Sequence, residues 1–267
     1  VLSADGSALI GSTYLGGSEN DGSTNQVGIG GYDNFRGEII MDDENNIYIG
    51  GHSLSSNFPV TTGAYDTTFD GSQDAVLLKL PQDLSSLIWS TFYGGTGAEG
   101  AYGLRVNDAK ELFFTGPSSS TDLPTTVGAY QTTYGGGSQD GYVARLSSDG
   151  SSLNAATYIG TSEQDVSYFL DKNEDDKVFV YGLTQGNFPT TAGTYGDTDG
   201  KVFIAQFDEN LTQIEVSTRL LENNFGFPMT PTAFLVDECS NIYLSGYQVT
   251  EDFETTADAI YTTGGFY

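Results

Sequence analysis

Apolar and polar positions alternate with period two over short runs bounded by Gly, Asn or Asp, which is the pattern of strands. In the clearest run, Asp74 to Leu80, alternation puts Val76, Leu78 and Leu80 on one face and Leu77 with Lys79 on the other. The run returns as Asp140 to Leu146 and as Lys201 to Phe207, so that Tyr142, Ala144, Leu146 and Phe203, Ala205, Phe207 repeat the first face. Lys79, Arg145 and Gln206 recur on the opposite face, where a long stem packs while its head reaches water. The 3.6-residue period of helical repeats is absent.

Three further stretches recur. Ser12 to Gly17 returns as Ser90 to Gly95, then Ala156 to Gly160, then faintly as Ser217 to Leu220, and its double Gly reads as an exit turn. Paired strands flank a polar turn: Glu38 to Met41 with Ile47 to Gly51, Tyr102 to Val106 with Leu112 to Gly116, Tyr168 to Leu170 with Val178 to Gly182, and Phe234 to Val236 with Ile242 to Gly246. The stretch beginning Phe58-Pro59-Val60-Thr61-Thr62 comes back at Leu123, at Phe188 and, worn, at Phe253, a step of 65 residues each time.

One repeat therefore reads as an inner hairpin, a long connection, a third strand, a tight turn and a fourth strand. Four antiparallel strands per repeat predict an all-β fold, a β-propeller of about 65 residues per blade; a β-solenoid coil needs only about 20 to 30 residues. The repeats run approximately over 1–80, 81–146, 147–207 and 208–267, the first and last incomplete. Three whole blades, two inner strands at the C-terminal end and one outer strand at the N-terminal end result. The ends could complete each other in a four-bladed ring, or the segment belongs to a larger propeller, which is the expectation adopted.

The long connection exceeds what compact domains leave without structure or function. Phe58, Tyr65 and Phe69, with Leu123, Tyr130 and Tyr134, are expected to anchor it on its own or the adjacent blade, and Pro59 keeps the preceding residue extended.

The combination of Ser-Thr-Tyr-Leu-Gly-Gly, Asn-Ile-Tyr-Ile-Gly-Gly, the Pro-Thr-Thr stretch and Asp-x-Tyr-Val-Ala-Arg-Leu resembles the bacterial SBBP β-propeller repeat, best over residues 74 to 160 and worst after 208. The first repeat departs by roughly a dozen extra residues between Gly17 and Ile47. The resemblance implies secreted or cell-surface proteins, often large and multidomain, whose repeats act as scaffolding or adhesive modules, and it brings no catalytic residues.

Charge narrows the partners. Nine basic against 36 acidic residues leave a net charge of -27, which repels nucleic-acid phosphates and anionic membrane surfaces. The bland meaning of so acidic a chain is solubility; a cation-rich exterior or calcium stabilisation is the alternative. Partners are expected among other domains of the same protein, surface proteins or polysaccharide, without direct membrane insertion. Cys239 is alone, so no disulfide forms within the chain, and no apolar run approaches the roughly 20 residues that span a bilayer.

Candidate chemistry is sparse. Asp171, Asn173 and Asp175 have the alternating oxygen spacing that opens some calcium loops, but no Gly stands at the sixth position, and Gly182 occupies the twelfth where a bidentate Glu belongs. Because Asp42 to Asn46 and Asp237 to Asn241 occupy the same place in their repeats, a polar hairpin turn is the competing account; calcium is the one candidate cofactor. His52, the only histidine, reads as a turn residue at a strand end, and Cys239, without basic neighbours, as an inert thiol. Trp89 reads as core. No carboxylate pair recurs in a way that singles out a cleft, so a glycosidase or lyase, like a polysaccharide-binding module, stays the alternative to a non-catalytic structural or adhesive role.

Overall fold

The computed structural model describes residues 1–22, 36–222, 229–248 and 256–260. Most of the worn stretch that begins at Phe253 and most of the insertion before Ile47 lie outside them. The described residues contain strands and turns and no helix. Three four-stranded antiparallel sheets and one two-stranded sheet follow one another, each strand paired with its neighbour in sequence.

The first sheet is β1 (Glu38–Met41), β2 (Ile47–Ser53), β3 (Asp74–Leu80) and β4 (Trp89–Tyr93). The second is β5 (Gly103–Val106), β6 (Leu112–Ser118), β7 (Asp140–Leu146) and β8 (Leu153–Ile159). The third is β9 (Asp165–Lys172), β10 (Val178–Thr184), β11 (Gly200–Phe207) and β12 (Ile214–Glu222), and β13 (Met229–Val236) with β14 (Ile242–Gln248) makes the fourth. The internal order is the one the repeat predicts.

Ser12 to Gly17 departs from expectation, because it is not a strand and Tyr14 is exposed. A fourth strand holds its shape by pairing with a third, as β4 does with β3, and the isolated segment has no such partner among the described residues.

Alternation along the third strands decides how the sheets stack. Tyr142, Ala144 and Leu146 join Leu77, Tyr48 and Trp89 in one buried layer between the first two sheets. Phe203, Ala205 and Phe207 join Phe113 and Val143 between the second and third, while Val202 and Ile204 face Phe234 and Val236 of the fourth. Both faces of an inner sheet are thus apolar and covered. Trp89 is core as expected, lying edge-on to Tyr48 and donating from its indole N–H to Ser148 O at 3.1 Å.

The long connection docks twice. Thr61 donates its N–H to Ser90 O at 3.0 Å and accepts the Ser90 N–H on its hydroxyl at 3.0 Å. Thr126 does the same with Ala156, and Thr191 with Ser217. A few residues on, the Tyr65 N–H reaches Gly150 O in the neighbouring sheet at 2.8 Å, as the Tyr130 N–H reaches Leu211 O at 2.9 Å. Each connection lies along its own fourth strand, and the first two also tie their sheet to the next.

The inner strands are also linked at intervals that match the repeat. The Leu104 N–H donates to a Glu38 carboxylate oxygen, Arg105 pairs with Glu38 at 2.9 Å and with Asp171 at 2.8 Å, and Asp171 accepts the Val236 N–H at 2.8 Å. Four sheets are joined through one arginine and two acids.

Candidate functional site

At the ends of the sheets from which the long connections leave, carboxylates recur with the repeat. The chain leaves β4 at Tyr93, and four residues beyond Gly95 comes Glu99; it leaves β8 at Ile159, and four beyond Thr161 comes Asp165; four beyond Gly17 comes Asp21. Each of these acids closes the end of the following second strand. Glu99 Oε1 accepts from the hydroxyls of Ser118 at 2.7 Å and Ser120 at 2.6 Å, and Asp21 accepts likewise from Ser53 and Ser55. Asp165 stands opposite Thr184, the last residue of β10, and its Oδ2 accepts from the N–H and hydroxyl of Thr161 at 2.5 and 2.8 Å.

A second acid comes from the first residue of the third strand. Asp74 accepts the Asp70 N–H at 3.0 Å on Oδ2, and Asp140 accepts the Gly135 N–H at 2.5 Å on Oδ2. In each the Oδ1 atom is buried without a hydrogen-bond partner. A Cβ on Gly94 would meet Asp74 Oδ1 at 2.6 Å and Glu99 Oε2 at 2.7 Å, so both carboxylates turn toward the same glycine. Gly94 and Gly160 have no positive φ. The glycine read as a turn former is needed for the space it leaves; at Gly160 a Cβ would collide with the Asp140 carboxylate.

Asp74 and Glu99 are 1% and 0% exposed, and Asp140 and Asp165 both 0%. Burial pushes the Asp74 carboxyl up to about 7, with Glu99 adding to the effect, and pushes Asp140 up to about 7, with Asp165 adding. Burial raises Glu99 and Asp165 too. An acid whose pKa is higher folded than unfolded holds its proton longer in the fold, so stability falls as pH rises between the two values. Stability without divalent metal is expected to drop from about pH 4 to about pH 7 and then level off, for Asp74 and Asp140 alike. His52, which burial lowers to about 4, acts in the opposite sense over part of this window. Urea melts across the range, repeated with Asp74→Asn and Asp140→Asn together, check this: the double variant should lose most of the fall.

The three residues singled out for calcium have different surroundings. Asp171 lies in β9, with Oδ1 engaged by Arg105 and the Lys172 N–H and Oδ2 by the Val236 N–H. Asn173, rather than Asp171, occupies the turn position of Asp42 and Asp237: its Oδ1 accepts the N–H groups of Asp175 and Lys177 as Asp42 Oδ1 accepts those of Glu44 and Asn46. The Asp175 side chain is exposed. Among the described residues no three His, Cys, Asp or Glu side chains group to hold a metal.

His52 is not in a turn. It sits within β2 opposite Ala75 and is 1% exposed, because β2 runs two residues beyond Gly51. Cys239 is exposed in the Asp237 to Asn241 turn. The paired acids were missed because the aligned stretches ended at the double glycine; the acid four residues later was the available signal.

No protein-family model matches the chain, and no curated protein is significantly similar to it.

Proposed function

We propose that the chain is a β-propeller segment of the SBBP type, a non-catalytic structural or adhesive module of an extracellular or cell-surface protein. The observation that carries this reading is where apolar side chains stay bare. Tyr48, Phe113, Phe179 and Tyr243 hold the same register position in the second strands. The first three are 0%, 0% and 2% exposed, whereas Tyr243 is 55% exposed. On the opposite side, Leu104, Leu170 and Phe234 are covered by the preceding sheet, while the equivalent Ile39 of the first sheet is 65% exposed. The bare faces are those that meet inside every internal joint, so further sheets of the same design fit against both ends and extend the array toward a larger propeller.

The paired acids favour a non-catalytic role, since groups with essentially no exposed surface offer no approach to a saccharide. Binding of surface proteins or polysaccharide then falls to the loops. The test is a glycan array and a polysaccharide turnover assay run on the same chain. Binding or assembly without turnover supports the module; turnover abolished by a single carboxylate substitution overturns it in favour of a glycosidase or lyase.

A further inference from the structure

We infer that each of the two recurring carboxylate pairs, Asp74 with Glu99 and Asp140 with Asp165, holds a divalent cation between neighbouring sheets, and that the cation is calcium. The inference stands apart from the proposed function.

Charge compensation is the first argument. Other buried acids have a basic side chain: Asp42 has Lys79 at 3.5 Å, and Asp171 has Arg105 at 2.8 Å. The charged groups facing Asp74 are Asp70 and Glu99, and those around Asp140 and Asp165 are each other and Glu163, all acids. A buried carboxylate without a counter-charge must keep a proton or bind a cation. The third sheet varies the theme: opposite Leu183 stands Val202, which puts Lys201 in the register position of Asp74 and Asp140. There the Lys201 ammonium donates to the Gln185 carbonyl oxygen at 3.1 Å, and no carboxylate pair forms on this pattern.

Geometry is the second. The Asp74 Oδ1 and Asp140 Oδ1 atoms are buried and unpartnered. Around the position that a Cβ on Gly71 would take, Asp74 Oδ1 lies at 2.7 Å and the Gly95 carbonyl oxygen at 2.8 Å, with the Gly97 carbonyl oxygen closer still. At the second pair a Cβ on Gly160, the counterpart of Gly94, would meet Asp140 Oδ1 and, at 2.9 Å, Oδ2; Asp165 Oδ1 is likewise buried and unpartnered, and the Thr161 carbonyl oxygen lies near Gly135. Two carboxylates with backbone carbonyls form an all-oxygen set of irregular shape, which suits calcium better than magnesium, whose octahedron is strict, or zinc, which prefers nitrogen and sulfur. Such sites in extracellular modules bind with Kd of about 0.1 to 1 mM.

The experiment is calcium titration of the chelator-stripped chain at pH 7.5, by calorimetry and thermal melting. Two ions per chain are expected, with Tm rising by about 5 to 20 °C at a hundredfold excess over Kd. Asp74→Asn and Asp140→Asn should each leave one ion, and the double variant none. Terbium gives a second readout: Tyr134, whose hydroxyl is raised by burial with the nearby Asp140 and Asp165 charges adding, should sensitise its luminescence, and Asp140→Asn should remove that signal. Undiminished binding in the double variant would overturn the assignment by placing calcium elsewhere. A Tm indifferent to 10 mM calcium would overturn it in favour of a proton held by each pair.

Discussion

Phe113→Ala is expected to destabilise the chain by about 3 to 5 kcal/mol, whereas Tyr243→Ala, at the same register position, costs less than about 1 kcal/mol. Phe113 is fully buried between the second and third sheets, packed with Val143, Phe203 and Phe207. Truncating it removes apolar area and leaves a cavity that strands pinned on both sides cannot close. Tyr243 sits on the same side of its own sheet, but it is 55% exposed, and its hydroxyl donates to Asp237 at 3.1 Å. Its ring has little to lose in this chain. Chemical denaturation of both variants measures the contrast directly. Equal costs would mean that the end face is covered, and the account of open ends would fail.

The second large effect is expected at Asp171. Asp171→Ala strips Arg105 of one of its two acids and leaves the buried Val236 N–H without an acceptor. Removing one partner of a buried ion pair costs about 3 to 5 kcal/mol, mostly through the groups left behind. The loss should fall at the lower end, because the Arg105 side chain is 25% exposed and keeps Glu38 at 2.9 Å. Asp43→Ala is the control: Asp43 pairs with Lys110 but its side chain is 79% exposed, so a change within about 1 kcal/mol is expected. Thermal melts of the two variants side by side distinguish an ion pair linking inner strands from one on the surface.

The strands were legible in the sequence because each is apolar on a period of two and the pattern recurs, four times for the inner hairpin and three times for the third strand, so even β3 and β7 keep their predicted ends. The second strands run further than expected. Their last residues, Ser53 and Ser118, are polar and read as loop, but their hydroxyls are tied to Asp21 and Glu99, which extends the ladder. Trp89 was legible as core, though its bond to the next sheet was not. The paired acids escaped for a physical reason: Asp74 and Glu99 are 25 positions apart, Asp74 in β3 and Glu99 in the connection before β5, bridged to Ser118 at the end of β6, and only the stacking of one sheet on the next brings them together. An acid at the start of an apolar strand looks like ordinary turn polarity until its partner is known.

The way each long connection lies along its fourth strand bears on how copies of the chain can associate. A free outer strand offers a row of backbone groups onto which another chain can zip, the route to fibrous aggregates. Thr61, Thr126 and Thr191 already occupy part of that row with reciprocal backbone and hydroxyl bonds. Ribbon-like polymerisation along the rim is thereby obstructed, and the contact left open is stacking of one broad side on another, a geometry that builds discrete rings or rods.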